Sequence, residues 1–352
     1  MTRSNSVARS GAGLPAPPPM HVTRTCDSAV LVLRALGLGD ALTAVPALRG
    51  IRRAWPDRWL LLAADARIGG WLRTLGLVDE LLPTSALRPL VWPPPVSGTG
   101  GHLAVNLHGR GPQSHRRLAA TAPDRLVAFR QPAAAHLGGP TWRPDEHEVD
   151  RWCRLVGSAG GHCGRDDLLL PTAGLRSDEV LLHPGAAAPA RRWPADRWAA
   201  VAARLAGAGH PVALTGGPAE SDLCADIVCR ARDVAGSAAD VRSLAGRLDL
   251  AGLAARVAAA RLLVCGDTGV AHLATAYRTR SVLLFGPTSP RLWGPAIDPD
   301  LHTVLWHGRD GAAGDPHGDT VDPALAAITT GQVLAAIDRS LATDLTGQRR
   351  GG

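Results

Sequence analysis

RLLVCGDTGVAHLATAYRTRSVLLFGP, residues 261–287, is the stretch whose reading decides the fold. Leu262, Leu263 and Val264 form a short apolar run ending in Cys265-Gly266. Val270, Leu273, Ala274 and Tyr277 then recur at the i, i+3, i+4, i+7 spacing of one helix face. Ser281 to Phe285 is a second apolar run, stopped by Gly286-Pro287. Strand, helix and strand in that order predict two parallel neighbours in an α/β fold. Asp267-Thr268-Gly269 then falls at the carboxyl end of a strand, where open sheets of this kind bind ligands.

That turn admits two readings. The helix starting at Asp267 or Thr268 has free backbone N–H groups and a positive dipole end toward the crevice, which suits a diphosphate. His272, four residues past Thr268, lies on the same side and off the apolar face. Alternatively, Asp267 or Thr268 is a simple N-cap and His272 a surface residue. An aspartic-protease reading of Asp-Thr-Gly is excluded, because that chemistry needs two carboxylates sharing a proton and the chain holds one such triplet in a helical setting.

Working outward, the second half repeats the pattern. A strand at 180–182 runs through His183-Pro184-Gly185 into 186–192, and a helix enters at Trp193-Pro194, with proline in its first turn. A strand at 211–214 stops at Thr215-Gly216-Gly217-Pro218, with Glu220 just inside the next helix, and 325–341 is a last amphipathic helix. Parallel strands of one sheet present their carboxyl ends on one edge, so three loop ends should converge there. They carry Gly185 with Arg191, Gly216 with Glu220, and Asp267, Thr268 and Gly269 with His272. Arginine and helix N-termini suit a diphosphate, while Glu220 suits ribose hydroxyls or the base, so a nucleotide diphosphate conjugate is the natural ligand. The plainer alternative is that the glycines make turns and Glu220 solvates a helix start.

The first half has the same logic with different chemistry. AVLVL at 29–33 leads through Arg34 and a glycine loop to Asp40, then to a helix marked by Leu42, Val45, Leu48 and Ile51, which Pro46 should kink or delay. Strands follow at 59–63, 80–83, 102–107 and 126–129, with helices at 66–75 and 145–156 and a proline-rich loop at 93–101. A dinucleotide fingerprint fails, since Leu42 stands where its third glycine belongs and Asp40 would repel a phosphate. A carboxylate at a loop end facing the opposite domain is placed instead to take a proton from a sugar hydroxyl, unless Asp40 is a simple N-cap.

The chain of 352 residues is long enough for two domains, and 45% apolar with 20% charged residues describes a soluble globular protein. It contains no lysine, and the arginines behind its formal charge of +7 are scattered, so no nucleic-acid stripe is indicated. The six cysteines show no metal-ligand spacing, and no metal or cofactor is expected; a reduced cytoplasmic setting fits. No run of about eighteen apolar residues suggests a membrane span. Residues 1–26 lack a signal-peptide core and read as a disordered leader. The glycine-rich stretch 157–175 reads as a linker, dividing an N-terminal domain at 27–171 from a C-terminal domain at 172–343, with a polar tail at 344–352.

Four stretches together carry a resemblance: LGLGDALTAVPALRGIRRAWP, LLHPGAAAPARRWPADRW, VALTGGPAE and VCGDTGVAHLATAYRTRSVLLFGPTSP. In this order they resemble glycosyltransferase family 9, known for ADP-heptose:lipopolysaccharide heptosyltransferases. The resemblance implies a GT-B architecture, two doubly wound Rossmann-like domains facing across a cleft, with the donor held mainly by the C-terminal one. It implies Asp40 as general base and Arg191 as a donor phosphate contact. Gly185, Gly216, Glu220, Asp267, Thr268, Gly269 and His272 join the donor set, and Gly39 and Arg34 the acceptor side. The implied reaction is metal-independent, inverting transfer of a sugar, heptose first, from a nucleotide diphosphate donor, ADP-heptose first, to a glycan, lipid-linked or metabolite hydroxyl. Peripheral contact with the inner membrane face would follow from a lipid-linked acceptor. Two alternatives stay open, a nucleotide-sugar epimerase on the same fold and a non-catalytic nucleotide-sugar binder. The sequence departs from the family at Ala186, Ala187 and Ala188, where hydroxyl side chains are common, so phosphate contacts there would come from backbone N–H groups.

Overall fold

The computed structural model describes residues 29–91, 101–172, 174–311 and 314–348. The expected leader at 1–26, most of the loop at 93–101 and the last four residues of the polar tail lie outside them. The first half runs β1 (Ala29–Leu33), α1 (Leu38–Thr43), α2 (Val45–Ala54), β2 (Trp59–Ala64), α3 (Ala66–Thr74), β3 (Glu80–Pro83), β4 (Leu103–Asn106), α4 (Gln113–Ala119), β5 (Arg125–Val127) and α5 (Glu148–Gly157). Its strands form one parallel sheet in the order β3-β2-β1-β4-β5.

The second half opens with β6 (Val180–His183), α6 (Ala195–Gly207), β7 (Val212–Leu214), α7 (Ser221–Ala235), β8 (Val241–Ser243) and α8 (Leu250–Ala259). It continues with β9 (Leu262–Gly266), α9 (Gly269–Tyr277), β10 (Ser281–Phe285), α10 (Pro290–Trp293), β11 (His302–Trp306), α11 (Pro323–Ala326) and α12 (Thr330–Gln348). The second sheet is also parallel, in the order β11-β10-β9-β6-β7-β8.

The central strands read as apolar runs because helices cover both faces of each sheet, and every residue of β1, β9 and β10 is buried. Leu31, Leu263 and Leu283 are each essentially inaccessible, and truncating such a residue to alanine costs on the order of 2–5 kcal/mol. In each sheet the order reverses between two adjacent strands, β1 and β4 in the first and β6 and β9 in the second. The crevice outside those switch points is where doubly wound folds bind ligands. Thus the segments just after β1 and β9, which lead to Asp40 and Asp267, are the ones topology selects.

Pro46 delays its helix: α1 ends at Thr43 and α2 starts at Val45, so that Pro46 falls in the first turn, where a missing N–H costs nothing. Other local expectations need correction. Pro194 caps α6 from outside instead of opening it. The helix expected at 325–341 is two, separated at 327–329. The stretch read as a linker is anchored, with Leu168 buried and the Asp167 carboxylate paired to Arg53. No helix among the described residues is long and apolar enough to cross a membrane.

The halves meet directly. α1 packs against α9 and α3 against α8. His147 Nε2 lies 3.0 Å from the Gly294 carbonyl, and the Arg291 guanidinium donates to the Asp145 carbonyl at 2.9 Å.

Candidate functional site

Asp40 sits in the first turn of α1, whose N-cap is Gly37. It is therefore not the N-cap, and it lines a cavity of about 460 Å³ between the halves. Arg34, at the end of β1, holds it from behind: Nε donates to the Asp40 carbonyl at 2.8 Å, and a terminal nitrogen reaches Asp40 Oδ1 at 3.3 Å. The same guanidinium donates to Thr43 Oγ1 at 3.2 Å, to Glu148 Oε1 at 3.1 Å and to the Leu107 carbonyl, and it stacks 4.7 Å over the Trp152 ring. Arg34 is 2% exposed and lies beneath Asp40, outside the lining of this cavity. Burial pushes the Asp40 carboxyl above the ordinary carboxylate range, Arg34 opposes this, and the Glu148 charge adds to it.

The opposite wall comes from β9 and α9. Thr268 is the N-cap of α9 and Gly269 its first residue, so the free N–H groups of that helix open on the same cavity as Asp40. Apart from the Cys265 thiol beside it, the buried Thr268 hydroxyl has no partner among the described residues. Arg191 arrives from a 3-10 turn, Pro189–Arg191, and donates to the Asp267 carbonyl at 3.1 Å, while its buried Nε is unpartnered among the described residues. Arg191 beside the free N–H groups of a helix N-terminus makes this wall of the cavity suited to an anion. Asp267 itself is buried, which pushes its carboxyl up to about 6 against the pull of Arg191 and the Thr288 hydroxyl.

His272 lies one turn into α9, its ring edge-on to Trp293 at 6.1 Å between centroids. Burial, reinforced by the nearby His147, lowers it to about 4 and keeps it neutral at physiological pH. It also touches the other half. A Cβ on Gly39 would stand 3.0 Å from His272 Cδ2, and one on Gly269 would stand 2.8 Å from both the Gly39 nitrogen and Leu38 Cβ. Two glycines thus let α1 and α9 approach backbone to backbone.

Gly216 lines a second cavity of about 530 Å³, with His183, Leu250 and, from the first half, Ile68 and Trp71. Leu38 lines both cavities, so the two are neighbours along one cleft. Glu220 is the N-cap of α7 and not inside it; its carboxylate accepts from the Gly217 N–H and lies against Gly185, where a Cβ would stand 2.7 Å from Oε1. Neither Gly185 nor Glu220 lines either cavity, so they brace the loops after β6 and β7 between them. His183 Nδ1 meets Thr215 Oγ1 at 3.0 Å, and burial lowers this imidazole to about 4.

Sequence reasoning missed Glu148, Thr288, Trp293 and His317. The last three line the Asp40 cavity, Thr288 from the end of the fourth family stretch, Trp293 from α10 and His317 from the segment before α11. Glu148 reads in sequence as an ordinary acidic residue in a first helical turn. Among the described residues no group of three or more His, Cys, Asp or Glu side chains is placed to hold a metal ion.

Residues 165–311 match the family described as glycosyltransferase family 9 (heptosyltransferase). The chain is 36% identical to lipopolysaccharide heptosyltransferase 1 of Pseudomonas aeruginosa, over 75% of this chain and 80% of that one. It is 29% identical to lipopolysaccharide heptosyltransferase 3 of Escherichia coli over 51% of each, so the match spans about half the length of that relative. Among solved structures, the ADP-heptose lps heptosyltransferase II of E. coli superposes with a TM-score of 0.66 at 20% identity, covering 90% of this chain and 99% of that one.

Proposed function

The chain belongs to glycosyltransferase family 9, the heptosyltransferases, and on that premise we propose that it transfers heptose from ADP-heptose to a hydroxyl of a lipopolysaccharide core or related glycan, inverting the anomeric centre. The observation that carries the reading is the convergence of Asp40 with Arg191, Thr268 and the N-terminus of α9 on one cavity between the halves. The donor's diphosphate lies at the start of α9, its nucleoside in the cavity beside Gly216, and its sugar toward Asp40. The relatives support the sugar and the base: the E. coli neighbour is an ADP-heptose lps heptosyltransferase.

The Asp40 carboxylate takes the acceptor hydroxyl proton as that oxygen bonds to the anomeric carbon, and the bond from that carbon to the diphosphate oxygen breaks with its electron pair. The α9 N-terminus and Arg191 stabilise the negative charge growing on the leaving group, a fixed field that needs no reorganisation during the step. Burial that raises Asp40 makes it a better base than a solvated aspartate. His272, neutral and wedged between Gly39 and Trp293, holds the sugar side of the pocket without adding a competing cation.

Nucleotide release from ADP-heptose, with and without a heptose-bearing core oligosaccharide, tests this. Acceptor-dependent ADP release, lost by a factor on the order of 10²–10⁴ in Asp40→Asn with donor affinity kept, is the expected outcome. Donor turnover without acceptor would point to an epimerase, and donor binding with no turnover in wild type to a binding protein.

A further inference from the structure

Glu148 is buried 114 residues from Arg34 in sequence, at the first turn of α5, and belongs to no stretch that marks the family. It is 6% exposed, and both of its oxygens are engaged: Oε1 by Arg34 at 3.1 Å and by Trp152 Nε1 at 2.8 Å, and Oε2 by Arg151. One guanidinium nitrogen of Arg34 therefore faces two carboxylates, Asp40 Oδ1 at 3.3 Å and Glu148 Oε1 at 3.1 Å, the nearer being the one away from the cavity. A cation given wholly to Asp40 would make it a poor proton acceptor; one shared with a second buried anion neutralises it less.

We propose that Glu148 is a positioning residue for the transfer, holding one side of Arg34 so that its other side engages Asp40 only partly and leaves that carboxylate basic. This rests on Asp40 being the base. The other charged or titratable groups of this half near the cluster are His108, which accepts from the Ala35 N–H, Arg151, which engages Glu148, and His147, just before α5. From the opposite half come Arg191, Asp267, His272 and His317. Glu148 alone among these shares a guanidinium with Asp40. Burial of Asp40 and the Glu148 charge act in the same direction.

The test reads Asp40 itself. In protein carrying 13C-carboxyl aspartate, the Asp40 signal is assigned by its loss in Asp40→Asn and followed through a pH titration without substrate. Glu148→Gln should lower its midpoint by about one pH unit, since the cation then falls to Asp40 alone, and the acidic limb of kcat/KM should move with it. Thr43→Val removes an uncharged acceptor from the same guanidinium and should leave the midpoint in place. A folded Glu148→Gln protein with an unmoved midpoint overturns the inference. Should that variant fail to fold, Glu148→Asp keeps the charge but withdraws it by one methylene. It should shift the midpoint the same way by less, and no shift or a rise overturns the inference. A midpoint that moves while the kcat/KM limb stays would leave the shared guanidinium standing and remove Asp40 as the base.

Discussion

Gly269→Ala isolates what the backbone contact between α1 and α9 does. The new methyl would stand 2.8 Å from the Gly39 nitrogen and 2.8 Å from Leu38 Cβ, both in the opposite half. Ordinary carbon contacts begin at roughly 3.5 Å, so the halves must part by about 0.7 Å or more at this point. Displacements near 1 Å at a reacting centre cost on the order of 100-fold in rate. The substitution leaves the Gly269 N–H in place, and alanine gains up to about 1 kcal/mol in helix propensity, which offsets much of the about 1–3 kcal/mol of overpacking. The expected result is a kcat lowered about 100-fold, ADP affinity changed only a few-fold, and a melting temperature within a few degrees of wild type. Turnover by acceptor-dependent ADP release, with calorimetry for ADP, measures all but the last. A kcat within threefold of wild type would refute the idea that this approach sets the distance between Asp40 and the donor.

Arg191→Ala should cost more in kcat than in ADP affinity, because the charge it faces grows as the diphosphate leaves; equal losses in both would make it a ground-state contact only. Stability should fall as pH drops from 6.5 to 4. His183 and His302 are held neutral by burial at about 4 in the fold but charge near 6.5 when unfolded, so each contributes stability on the order of 3 kcal/mol that is present above pH 6.5 and lost toward 4. Asp267, raised to about 6 in the fold, and Asp40, also raised by burial, work the other way and add stability as pH falls, but four histidines lowered by burial, His108, His183, His272 and His302, oppose them. Denaturant titrations at pH 7.5 and 5 decide, and equal midpoints would contradict the reading. Glu148→Ala leaves Arg34 and Arg151 without their buried anion and should destabilise by about 3–5 kcal/mol, seen as a lower denaturant midpoint.

The β9-α9-β10 unit was legible because parallel strands covered on both faces are near-continuous apolar runs, and because a glycine turn punctuates each one. β8 was not, since it is three residues long at the sheet edge with Arg242 and Ser243 only half-buried. α8 lacks a polar face strong enough to stand out in so alanine-rich a chain, although Asp249 caps it by accepting from the Gly252 N–H. The same limit governs the site. Asp40, Arg191 and Thr268 follow closely on strands, where topology assigns them a place. Arg34 sits there too, yet its guanidinium is committed to a carboxylate 114 residues away, and no local spacing announces that contact. Glycines 39 and 269 were legible as turn formers, while their role in bringing two backbones together needs both halves in view.

The most direct measurement is calorimetric binding of ADP, GDP, UDP and ADP-heptose to wild type, Arg191→Ala and Thr268→Val. The account predicts that ADP and ADP-heptose bind in preference to the other two and that both substitutions weaken them, since both side chains line the cavity at the start of α9. Binding of no nucleotide, or affinity for ADP untouched by either substitution, would contradict it.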